Sequence, residues 1–219
     1  MTSWWFPSLL ALLFAAPLQA AGPTLAGTVL DETGTPLAGV AVTVNGTETR
    51  SDEAGRYRAA VDEATVYTLD FNADGHFPAV HSFSPLELSW WAEGAISRLP
   101  PVTLVARAEG RVMMTFGGDA MMGRRFSEPY PGDPVLIRPG HRAADTRALL
   151  SHMAPYLQMA DLASVNLESQ VMDAAPEVKA PKSFVFYTPP EAVAAFRDAG
   201  VDYVTLVNNY SNDSLKSGL

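Results

Sequence analysis

Val112-Met113-Met114-Thr115-Phe116-Gly117-Gly118-Asp119 is an apolar run that ends in two glycines and a carboxylate. A run without alternation predicts a strand buried on both faces of a parallel sheet. The glycines permit close backbone approach, and Asp119 falls where the strand runs out. Downstream, Asp145-Thr146 reads as the cap of a helix with Leu149, Leu150, Met153 and Leu157 on its apolar face. Ala163-Ser164-Val165-Asn166-Leu167-Glu168 reads as a second strand with a polar end. Thr188-Pro189-Pro190-Glu191 has the form of a capping box, with Thr as N-cap, Pro at the first helical position and Glu at N3. Residues 192–199 continue that helix, Gly200 closes it, and 201–207 form a third strand that stops at Asn208-Asn209. Strand, helix and strand in alternation predict an α/β domain over 111–219.

Upstream the period is two. Leu25-Ala26-Gly27-Thr28-Val29-Leu30 and Val40-Ala41-Val42-Thr43-Val44 alternate as strands with one buried face, and 56–61 and 66–71 follow suit. Asp31-Glu32-Thr33-Gly34-Thr35-Pro36, Asp52-Glu53-Ala54-Gly55 and Asn72-Ala73-Asp74-Gly75 are the turns between them. Short strands at regular spacing predict an all-β antiparallel sandwich ahead of the α/β domain. Residues 84–101, rich in Pro, Trp and Ser, read as its last loops and a linker. The Trp90-Trp91 pair is expected to pack against the second domain, with a sugar platform as the alternative. His76 and His81 are given surface or turn roles, and neither His141 nor His152 is expected to be a ligand.

The chain of 219 residues carries a net charge of -9 and no cysteine. Phosphate backbones need a basic stripe, so nucleic acid is not the expected partner. Thiolate metal sites, cysteine nucleophiles and disulfides are excluded outright. Residues 4–16 are almost wholly apolar and lead into Pro17-Leu18-Gln19-Ala20-Ala21-Gly22, a small-residue stretch suited to cleavage. A secretory signal peptide over 1–21 is expected, with an uncleaved N-terminal anchor as the alternative; the protein is placed in the periplasm or cell envelope.

Asp119, Asn166 with Glu168, and Asn208 with Asn209 all fall at the carboxyl ends of expected strands. In open parallel sheets that edge is where ligands bind. Oxygen donors gathered there suit a divalent metal such as Mn, Mg or Fe, and Asp and Asn also suit Zn.

Two resemblances to known families overlie these readings. Gly27-Thr28-Val29, Asp31, Gly34, Pro36-Leu37-Ala38-Gly39-Val40, Thr49, Asp52, Gly55 and Tyr57 resemble the carboxypeptidase regulatory-like family, a transthyretin-like β-sandwich, over 24–106. Thr115-Phe116-Gly117-Gly118-Asp119-Ala120-Met121-Met122-Gly123-Arg124, Asn166-Leu167-Glu168, and Gly200-Val201-Asp202-Tyr203-Val204-Thr205-Leu206-Val207-Asn208-Asn209 resemble motifs of the poly-γ-glutamate capsule-biosynthesis family. That second resemblance covers 111–219, with Asn212-Asp213 and Gly218-Leu219 continuing it. It implies a metallophosphoesterase-like, metal-dependent α/β sandwich. Its implied partners are an anionic envelope polymer or its precursor and a membrane-bound capsule synthesis complex. Asp119, Glu168, Asn166, Asn208 and Asn209 would then contact metal or phosphate. Asp119 and Asn208 would serve catalysis, with Arg124 recognising an anion as a guanidinium can. Where the family has His after Asn-Asn this chain has Tyr210, and Leu215 replaces a usual Gly. The family has further strands and His-containing motifs, so 111–219 reads as the N-terminal part of such a domain, truncated at its C-terminus. A non-catalytic scaffold or binding protein in capsule assembly or export is the alternative reading.

Overall fold

The alternating stretches become strands in the computed structural model, which describes residues 22–175 and 180–213. The expected signal peptide, Leu215 and Gly218-Leu219 lie outside the described residues. In chain order the first strands are β1 (Thr24–Asp31), β2 (Ala41–Val44), β3 (Thr47–Arg50), β4 (Arg56–Ala60), β5 (Tyr67–Asn72) and β6 (Ala79–Phe83). Then come helix α1 (Pro85–Trp90) and strands β7 (Ala92–Glu93), β8 (Ile96–Arg98) and β9 (Val102–Leu104). One sheet has the order β4-β1-β8-β7 with β9 also on β1, and the other β3-β2-β5-β6. Their inner faces enclose Leu25, Val29, Val42, Val44, Leu69, Phe71 and Leu104. Tyr57 meets Phe71 edge-on at 5.5 Å between ring centroids. Its ring lies over Gly27, where an added Cβ would sit 2.5 Å from the Tyr57 hydroxyl, so that strand position has room only for hydrogen.

Three expectations for this region are corrected. The sandwich is not wholly antiparallel, because β8 and β9 both run parallel to β1. Residues 84–101 are not only loops and linker: they hold α1, β7 and β8. Ser84-Pro85-Leu86-Glu87 is a working capping box, in which Ser84 Oγ accepts from Glu87 N at 3.2 Å and Glu87 Oε2 accepts from Ser84 N at 2.7 Å. Nor does Trp90 pack against the second region, being 68% exposed. Leu88 is the buried residue of α1, and Leu86 and Trp90, two residues away on either side, are turned to the opposite face of the helix.

The second region continues with β10 (Met114–Ala120), a 3-10 turn at Arg124–Phe126, α2 (Arg142–Leu150), α3 (Ala154–Gln158), β11 (Leu162–Leu167), β12 (Gln170–Val171), β13 (Tyr187–Thr188), α4 (Glu191–Asp198) and β14 (Tyr203–Thr205). Strands β10, β11 and β14 pair in that order, all parallel. Helices α2, α3 and α4 place Leu149, Leu150, Leu157, Ala192 and Phe196 against Ala163, Val165 and Leu167 of β11. The other face, with Met114, Phe116, Leu162 and Tyr203, is exposed. The expectation that β10 is buried on both faces is therefore corrected. Among the described residues, helices cover one face, and an unbroken apolar run does not reveal that.

Local details also differ from the reading. Asp145 does not cap a helix but sits within α2, whose N-cap is His141. Its carboxylate accepts from Arg138 N at 2.8 Å and Arg138 Nη2 at 2.7 Å. The Arg138 guanidinium holds its pKa down at about 2. The helix foreseen through Leu157 is two helices, with Pro155 at the start of α3 and Met153 exposed. Thr188 caps nothing, because its hydroxyl accepts from Met122 N at 3.0 Å and lies 2.6 Å from Ser169 Oγ.

The two regions are joined by exposed ion pairs, Arg111 to Glu32 at 2.7 Å and Arg107 to Asp161 at 3.0 Å. Asp161 also accepts from Met113 N at 2.9 Å, which fixes the entry into β10.

Candidate functional site at the strand ends

The end of β10 is bent by its glycines. The register of β10 on β11 shifts between Phe116 and Asp119, so Gly117 and Gly118 form a bulge that sets Asp119 opposite Asn166. Gly117 is tight against Val165, whose Cγ1 would lie 2.9 Å from an added Cβ, whereas the space beside Gly118 is open.

The polar strand ends then meet. Asn166 Nδ2 donates to Asp119 Oδ1 at 2.6 Å. Asn208 Nδ2 donates to Asn166 Oδ1 at 3.1 Å and to the Leu167 carbonyl at 2.9 Å. Thr205, which the sequence reading passed over, donates its hydroxyl to Asn166 Oδ1 at 3.1 Å. Asn208 is held in turn because its Oδ1 accepts from Tyr210 N at 2.9 Å. Three strands thus deliver one continuous row of side chains, Asp119–Asn166–Asn208. Glu168 joins it: its backbone N donates to the Ala120 carbonyl at 3.0 Å. Its carboxyl is pushed above the usual range by desolvation, then by the charge of Asp119 and a hydrogen bond to it, against the opposing charge of Lys182. A carboxyl raised by a neighbouring carboxylate in this way marks a place where a cation would relieve the repulsion.

Asn209 and Arg124 do not join the row. Asn209 is exposed and offers its backbone carbonyl to Lys182 Nζ at 2.7 Å. Arg124 has φ +52, a left-handed conformation that costs a non-glycine residue about 1 kcal/mol or more. Its guanidinium lies 4.4 Å from the centroid of Phe184 and 5.6 Å from that of Phe186. Gly123, just before it, passes so close to β13 that an added Cβ would fall 1.8 Å from the Tyr187 carbonyl oxygen.

Tyr210 is a packing residue. It stacks on Phe186 at 4.2 Å, and Lys182 Nζ stands 3.9 Å from its ring centroid. Lys182 pairs with Asp213, which is 1% exposed and whose Oδ2 accepts from Phe186 N at 2.8 Å. Lys182 lies in a loop outside the strand-end motifs, so no sequence signal points to it. Neither His141 nor His152 belongs to a cluster: among the described residues, no three or more His, Cys, Asp or Glu side chains gather as metal ligands.

Comparison with known proteins fits this layout. Residues 113–219 match the family described as bacterial capsule synthesis protein PGA_cap. Residues 24–87 match the carboxypeptidase regulatory-like domain. The capsule biosynthesis protein CapA of Bacillus anthracis is 32% identical over 109 residues, 49% of this chain and 24% of that protein. The chain thus spans about a quarter of that relative's length. Among solved structures, a cohesin–X-dockerin complex from Acetivibrio cellulolyticus is 18% identical over 39% of this chain and 58% of its own, with TM-score 0.28. A 3-chlorocatechol 1,2-dioxygenase from Rhodococcus opacus is 15% identical over 40% and 61%, with TM-score 0.30. Likenesses at that level carry no argument about function.

Proposed function

The C-terminal half of this chain belongs to the bacterial capsule synthesis family, behind a carboxypeptidase regulatory-like domain, and from that premise we propose that the protein is exported and serves envelope capsule biosynthesis through a divalent-cation site at its strand ends. The observation that carries the proposal is the row Asp119–Asn166–Asn208, with Glu168 beside Asp119, at the edge where parallel sheets bind ligands.

The donor set fits a hard cation. Asp119 and Glu168 supply carboxylate oxygens, and no His or Cys stands among them, which suits Mn or Mg better than Zn. Asn166 and Asn208 already use their amide groups on Asp119, on each other, on Thr205 and on the backbone, so they orient Asp119 rather than compete for the ion. A bound cation would polarise a phosphoryl or acyl oxygen of an anionic polymer or its precursor and lower the pKa of water, as a metal-dependent hydrolase or transferase of the metallophosphoesterase-like kind requires. Asn208, clamped by Leu167 and Tyr210, holds Asn166 and through it Asp119 in place.

Export rests on the apolar stretch at 4–16 and the small residues after it. Among the described residues no helix is long and apolar enough to cross a membrane.

A second reading, a non-catalytic scaffold in capsule assembly or export, is favoured by Tyr210, whose ring is engaged with Phe186 and Lys182 where the family has His. Complementation of a strain lacking its own gene of this family separates the two. Under the enzyme reading the wild-type gene restores capsule and Asp119→Ala does not. Restoration by Asp119→Ala decides for the scaffold, and failure of the wild-type gene removes the capsule assignment.

A further inference from the structure

A second recess lies around the Arg124 turn and is open to solvent. It encloses about 400 Å³ and is lined by Arg124, Arg125, Glu128, Lys182, Phe184 and Tyr187. Its charge is unevenly matched. Lys182 is neutralised by Asp213, and Glu128 interacts with the Tyr187 hydroxyl. The two guanidiniums, by contrast, have no carboxylate partner among the described residues. Arg124 lies over Phe184, while Arg125 stands 3.4 Å from the Tyr130 centroid and donates to the Glu128 carbonyl at 3.3 Å. A guanidinium set over an aromatic ring can still present in-plane N–H groups to an anion two bonds at a time. Arg124 is held there at the expense of a left-handed backbone that a surface arginine has no need of.

We propose that this recess binds carboxylates of a polyanionic chain, with Arg124 the principal contact and Arg125 the second. The inference rests on the capsule reading above and deepens it by naming where the polymer is held. Lys182 borders the recess and also acts on Glu168, so a chain held there would run towards the strand-end row.

The test is titration of the full-length protein with a γ-linked glutamate oligomer and, separately, with inorganic phosphate. Saturable oligomer binding that weakens with salt is expected. Arg124→Gly should weaken it roughly tenfold to a hundredfold, the worth of a charge-assisted bidentate contact. Because glycine tolerates φ +52, the variant's melting temperature should match or exceed the wild type's, so that loss of binding is not loss of folding. Should Arg124→Gly fail to fold, Arg125→Gln is measured instead, with weaker oligomer binding expected. Unchanged oligomer affinity in the folded variant overturns the proposal, as does phosphate binding as tightly as the oligomer, which would make this a phosphate site. Manganese uptake is read on the same wild-type samples. Uptake without oligomer binding sinks only the recess, and oligomer binding without uptake sinks only the cation site.

Discussion

The two regions use β-structure in opposite ways. In the N-terminal sandwich both sheets turn their apolar faces inward, and Leu25, Val29, Val42, Val44, Leu69 and Phe71 are all sealed from water. In the C-terminal region three parallel strands are covered on one face, while Met114, Phe116 and Tyr203 stand exposed on the other. The sandwich puts its chemistry into a closed core and leaves little at its strand ends. The parallel sheet carries less core and sets a polar side chain at or next to the end of each strand, where Asp119, Asn166 and Thr205 meet. The larger closed core lies in the first region and the candidate chemistry in the second.

The largest effect that tests this contrast is a pair of truncations of the same residue type. Phe71→Ala, at 0% exposure, should cost about 3–5 kcal/mol in denaturant unfolding. Phe116→Ala, at 72% exposure, should stay within about 0.5 kcal/mol of wild type. A comparable loss at Phe116 would mean that its face is covered in solution. Next in size, Gly123→Ala should destabilise by about 1–3 kcal/mol, because its Cβ would collide with the Tyr187 backbone. A neutral result in thermal melts would show that the β13 backbone can yield.

Two smaller effects depend on pH. The folded-state pKa of Asp145 is depressed to about 2, so its contribution is present above the ordinary carboxyl range and is lost as pH falls towards that value. Asp145→Asn should therefore melt below wild type at pH 7, with the gap closing as both are taken towards pH 2. Glu168 has the opposite sign. Its raised folded-state pKa gives stability that is complete below the ordinary carboxyl value and is lost as pH rises through the folded one. In chelator-treated protein Glu168→Gln should melt slightly above wild type at pH 7, and the gain should vanish below about pH 4. A gain that persists at low pH would place its cause elsewhere than in the charge.

The period-two strands were legible because alternation is local: each residue's face follows from its neighbours. Helix α1 does not stand out although Ser84-Pro85-Leu86-Glu87 spells its start, because Pro and Trp in the surrounding stretch suggest loop. The burial of β10 is not legible, because an apolar run reports what a strand could bury and not which layers exist to bury it. In the site, Asp119, Asn166 and Asn208 could be found because polar residues closed three apolar runs in succession. Thr205 could not, since its partner is set by the pairing of β14 on β11. Lys182 comes from a loop with no periodic signal, and the turn at Arg124 carries its guanidinium to Phe184 and away from the motif it follows.

The cation site itself is tested most directly by calorimetric titration of chelator-stripped, full-length protein with Mn²⁺, for wild type and Asp119→Ala side by side. Saturable binding by wild type, lost in Asp119→Ala while the variant remains folded, is the predicted result. Absence of binding to wild type, or equal binding to both proteins, would contradict the site.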